Sequence, residues 1–133
     1  MARNNHLSTL LVEIMVAVLF FALSATVLLD MFVAARNQSM RAGICNEALA
    51  AAQNLADRLY AAADADALLQ SEGFAPEGGA WTLDCGRYSF TVTLEEEPTA
   101  AGTLRNATVA AQSGGKLLLT LPCARYVPGE VAQ

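Results

Sequence analysis

Glu13 is the residue that most needs a chemical explanation. It stands at the mouth of residues 14–29, a run without a single charge. A carboxylate at such a place costs a few kcal/mol unless it reaches the headgroup layer or meets a counter-charge. The other reactive side chains make no constellation. His6 is the only histidine and lies near the chain start, so a histidine-dependent triad or zinc enzyme has no base or ligand further along. Asp64 and Asp66 read as a solvated helix end, and Glu95, Glu96 and Glu97 as a soluble turn and edge-strand guard, in preference to calcium sites. Cys45, Cys85 and Cys123 form no CxxC pair and match no zinc spacing. No catalytic residue, metal site or cofactor is expected.

The 133 residues are 54% hydrophobic and 16% charged, more apolar than an ordinary soluble domain. The excess is concentrated in residues 10–35, where Glu13 and Asp30 are the only charges. The net charge of −5 with eight scattered basic residues offers no patch for displacing phosphate counterions, so a nucleic-acid partner is not expected.

Residues 14–29 cover about 24 Å as a helix, against a hydrocarbon layer of about 30 Å. With their flanks they span it if Glu13 lies near one interface and Asp30 near the other. A membrane helix over residues 9–35 is therefore expected, with membrane lipid as its surroundings. Ala17, Ala22, Ser24 and Ala25 would let helices approach closely. A cleaved secretory signal is the alternative, since Ala22 and Ser24 are small residues at the positions that signal peptidase reads.

No proline occurs before Pro76, and the helical pattern continues over residues 36–70. Ile44, Ala48, Ala51, Ala52, Leu55, Leu59 and Ala62 fall on one face at spacings of three and four. Gly43 is a point where the helix would bend or divide. Gly73, Pro76, Gly78 and Gly79 break the pattern. Residues 71–133 then change period. Tyr88, Phe90, Val92 and Leu94 alternate with polar residues as in a half-buried strand. Residues 81–83 predict a short strand before it, and residues 103–111 and 116–121 a hairpin closed at Ser113, Gly114 and Gly115 and stopped by Pro122. Three to four antiparallel strands need one cover, and the amphipathic helix is the candidate, giving an α+β head. A Cys85–Cys123 bridge would close the strand region and contribute about 4 kcal/mol. Cys45 is an alternative partner for either, and three free thiols are the rival state.

Thr9, Leu10, Leu11, Val12 and Glu13, preceded by a short polar leader over residues 1–8 and followed by the apolar helix, resemble the type IV prepilin signature. In that family a leader ends in Gly, and the mature chain opens with an aromatic residue and carries a Glu at its fifth position. Here Ser8 stands in place of the Gly and Thr9 in place of the aromatic, and Glu13 is fifth counted from Thr9. The resemblance implies cleavage between Ser8 and Thr9 by a prepilin peptidase, methylation of the new amine and a cytoplasmic N-terminus. It also implies that Glu13 sets assembly register against a neighbouring subunit's amine. The helix-then-sheet order also fits the pilin architecture. The expected function is a structural subunit, a minor pilin or pseudopilin of a type IV pilus or secretion filament. Its partners would be other such subunits. The alternatives are a signal-anchored membrane protein with a partner-binding head and a secreted binding domain.

Overall fold

The computed structural model describes residues 2–129. Helix α1 runs unbroken over Ala2–Ala61, so residues 2–8, read as a leader, are helical and continuous with the apolar segment. The chain divides into two compact units, one ending at Arg41 and the other beginning at Ala42. The division falls one residue before Gly43, the point at which a bend is expected; the helical hydrogen-bonding pattern runs through it.

In the first unit the apolar side chains of α1 are uncovered. Every large apolar side chain among residues 7–33 is at least half exposed, from 50% at Leu10 to 76% at Phe21. A core helix of a soluble globule would bury one stripe of these. This helix is instead long and apolar enough to cross a membrane.

In the second unit the α1 periodicity becomes one-sided. Ala48, Ala52, Leu55 and Leu59 are buried, as the spacing of three and four predicts. They form one core with Leu69, Phe74, Phe90, Val92, Ala107, Val109 and Ala111. The helix stops at Ala61, short of residue 70. A second helix, α2 (Ala65–Ser71), comes next, with Asp64 as its N-cap accepting from the backbone N–H groups of Asp66 and Ala67. The carboxylate read as the solvated end of one helix thus begins another. Helix α2 ends where Gly73 predicts a stop. Phe74 N–H donates to Leu69 C=O and Gly73 N–H to Gln70 C=O, the Schellman arrangement, with Leu69 and Phe74 both in the core.

The sheet is an antiparallel meander in the order β1-β2-β3-β4-β5, formed by Ala75–Glu77, Ala80–Asp84, Ser89–Thr99, Gly102–Ser113 and Lys116–Pro128. It has one strand more than expected, because Gly78 and Gly79 are a hairpin turn and not a linker. Their φ angles, 59° and 84°, match those of Gly114 and Gly115, 57° and 77°. Two successive positive φ values make the two-residue turn whose twist suits a hairpin, and glycine adopts them without strain. β1 escapes sequence reading because three residues are too few to show an alternation.

Two further expectations fail for reasons of position. Pro122 does not end its strand, which runs on to Pro128. β5 is at the sheet edge, where a proline that lacks an N–H is tolerated. Glu95, Glu96 and Glu97 are not a turn but the interior of β3, paired with Asn106, Arg105 and Leu104. β2 reaches only as far as Val92 along β3, so this stretch pairs on one side alone and the guarding role survives there.

Candidate functional site

Glu13 is on α1 in the first unit, four residues beyond Thr9 and thus one helical turn away on the same side. Thr9 Oγ1 donates to Asn5 C=O at 2.8 Å. Ser24 Oγ donates to Phe20 C=O at 2.9 Å and Thr26 Oγ1 to Ala22 C=O at 3.0 Å. The hydroxyls of the apolar helix are thereby satisfied within the helix, as an environment without water requires. Glu13 differs from them. It is exposed and enters no ion pair or side-chain hydrogen bond among the described residues. The nearest arginine or lysine before it along the helix, Arg3, is ten positions away, about 15 Å along the axis. Among the described residues its carboxylate has no ionic partner within the molecule.

The candidate chemistry in the second unit resolves into structure. A cleft of about 530 Å³ is lined by Asp64, Asp66, Trp81, Glu96 and Arg105 among others, yet each polar group in it is already engaged. Asp64 caps α2, Asp66 accepts from Trp81 Nε1 at 3.2 Å, and Glu96 Oε1 accepts from Arg105 Nε at 3.1 Å.

Arg105 and Arg125 are the functional pair that sequence reasoning missed. Phe90, Val92 and Leu94 on β3 lie across from Ala111, Val109 and Ala107 on β4, and these from Leu119, Leu121 and Cys123 on β5. The next inward row along the same face is Glu96, Arg105 and Arg125. That row coincides with the end of α1, whose last carbonyls have no partner in the helix. Arg125 Nη1 donates to Tyr60 C=O at 2.7 Å and to Ala62 C=O at 3.0 Å. Arg105 Nη1 donates to Ala63 C=O at 3.3 Å. Two cations thus sit at the negative end of the helix macrodipole, and Arg125 also lies over the Tyr60 ring at 5.8 Å. A signal for Arg105 was in the sequence, since it occupies the inward-facing parity of the strand read over residues 103–111, where an unpaired charge would be costly; Arg125 lies beyond the stop that Pro122 predicts and gave none.

The three cysteines are free thiols, and the favoured Cys85–Cys123 bridge is not formed. Cys123 is level with Ala107 and, through it, with Leu94. Cys85 lies just past β2, its N–H donating to Tyr88 C=O beside the Asp84–Ser89 pair. Five strand residues separate these levels, about 16 Å, well beyond the roughly 7 Å Cα separation that a disulfide can close. The pairing expectation fails because both cysteines flank the strand region in sequence but not in space.

Burial pushes the Cys85 thiol above its ordinary value, with the carboxylates of Asp84 and Glu47 adding to it. Burial raises Cys123 as well, aided by Asp57. Cys123 is partly buried whereas Cys85 is exposed, so alkylation of Cys123 by iodoacetamide near pH 8 should run slower in the folded chain than in denaturant. A folded-state value above the unfolded one favours the fold below the ordinary thiol range, and this contribution fades as pH rises through the shifted values. Equal alkylation rates in the folded and denatured chain would contradict the assignment.

No protein-family model, curated protein or solved structure matches the chain.

Proposed function

We propose that the chain is a structural subunit of a type IV pilus or a type II secretion-like filament, a minor pilin or pseudopilin inserted in the membrane through α1. The observation that carries the reading is Glu13, an unpartnered carboxylate one helical turn beyond Thr9 and at the threshold of an exposed apolar helix. Once such a charge is buried among neighbouring helices, it is stable only beside a counter-charge. Cleavage between Ser8 and Thr9 would create one, the amine of Thr9, in each neighbouring copy. The helix supplies the polymer contact and the sheet supplies the outward surface, and no chemistry on a substrate is required of either.

The intact mass of the protein from its native membrane tests the processing step. A chain beginning at a methylated Thr9 is the expected result. An uncut chain would mean a signal-anchored protein whose head binds a partner without polymerising, and a cut after Ser24 a secreted binding domain.

A further inference from the structure

Asp30 and Arg36 are the next charges along α1 after Glu13. Both are exposed, and neither enters an ion pair or side-chain hydrogen bond among the described residues, whose ion pairs are Arg58–Glu72, Arg87–Glu47 and Arg105–Glu96. They cannot satisfy each other within one helix. Six residues apart, they are separated by about 9 Å along the axis and about 120° around it, whereas helical neighbours meet at three or four. Around Asp30 and up to Val33 the surface is apolar, with Val27, Leu28, Leu29, Met31, Phe32 and Val33 all more than half exposed, whereas Asn37, Gln38 and Ser39 follow Arg36.

We infer that the occupant of this face is a second, parallel copy of the chain, displaced by about six residues so that Asp30 of one copy pairs with Arg36 of the next. Charge complementarity selects that occupant over an unrelated partner, because the acid and the base that fit each other are both supplied by this helix. The two charges point in directions about 120° apart. One copy therefore presents its acid to one neighbour and its base to another. Such a head-to-tail contact is heterologous and propagates as an open helical array, in contrast to the self-complementary patch of a two-fold dimer. Between neighbouring copies the apolar side chains of residues 27–33 would shield the Asp30 side of the pair from water and raise its worth above that of a fully exposed one. The inference rests on the proposed assembly role and adds to it a second register element, at the opposite end of the apolar run from Glu13.

Charge exchange in the full chain, expressed in its native host, tests it. The readout is the amount in sheared filaments relative to the amount in the membrane, which corrects for any loss of insertion. Asp30→Arg and Arg36→Asp should each lower that ratio about tenfold, since each sets like charges together. The double exchange should restore it to within about twofold, because the pair is re-formed with its polarity reversed. Asp30→Asn and Arg36→Gln, which disturb insertion less, should each lower the ratio several-fold, with no further loss when combined. A double exchange as poor as either single, or singles that incorporate normally while Glu13→Ala does not, would overturn the Asp30–Arg36 pair and leave the assembly reading standing. Normal incorporation of Glu13→Ala would instead remove the reading on which the pair rests.

Discussion

Glu13→Ala is expected to leave the protein in the membrane and to remove it from sheared filaments, lowering incorporation by at least about tenfold. The two halves of that result have separate causes. Insertion depends on apolar length, and replacing a carboxylate by a methyl group within α1 can only favour it. In the proposed filament, incorporation depends on the carboxylate, since an alanine would leave the neighbour's amine buried without a counter-charge. Breaking one side of a desolvated pair costs about 3–5 kcal/mol. Glu13→Gln keeps the shape and loses the charge, and it should behave like the alanine variant. If the glutamine variant incorporates normally, hydrogen bonding and not charge sets the register. If both variants incorporate normally, Glu13 has no assembly role.

The second large effect concerns the head. Arg125→Ala should destabilise it by about 2–4 kcal/mol. Two hydrogen bonds from a charged donor are lost, one to Tyr60 C=O at the end of α1 and one to Ala62 C=O just past it, each worth about 1.5–3 kcal/mol at most, and solvent entering the gap recovers part of that. The favourable contact of a cation with the helix end goes as well. A head of this size shifts its melting temperature by about 4–8 °C for each kcal/mol, so a fall of about 10–25 °C is expected. Trp81 is the only tryptophan and lies on β2, so its fluorescence reports head melting in detergent without interference from the membrane helix. Arg105→Ala should cost less, since one carbonyl contact at 3.3 Å is lost. Its ion-pair partner Glu96 is exposed and stays solvated when Arg105 is removed, so the lost pair adds little. Arg125→Lys keeps the charge but not the planar fork and should fall between the wild type and the alanine variant. An unchanged melting temperature for Arg125→Ala would show that the cap contributes nothing.

The parts of this molecule that were legible in the sequence are those set by local pattern. The absence of proline before Pro76 and the switch of apolar spacing after residue 44 are properties of one segment, and α1 arises from them. The alternation of Tyr88, Phe90, Val92 and Leu94 likewise predicts β3, with Phe90 and Val92 buried. What was not legible depends on the placement of one segment against another. Pro122 reads as a stop until β5 is known to lie at the edge. Glu96 reads as a solvated charge until β4 brings Arg105 opposite it. The cysteine pairing fails in the same way, because sequence separation says nothing of strand level. Glu13 is the opposite case. Its setting was visible at once in the linear pattern, and the role proposed for it turns on a partner outside the molecule.

The margins of the meander are built to tolerate crowding. Both outer strands carry a proline, Pro76 in β1 and Pro122 in β5, and the half-covered length of β3 carries three consecutive carboxylates. A strand seeking to add itself to this sheet would meet a gap in the donor row at either margin and a block of like charge at the third opening. Many copies held side by side, as the proposed filament would hold them, could then touch through side chains without fusing backbone to backbone into cross-β aggregates.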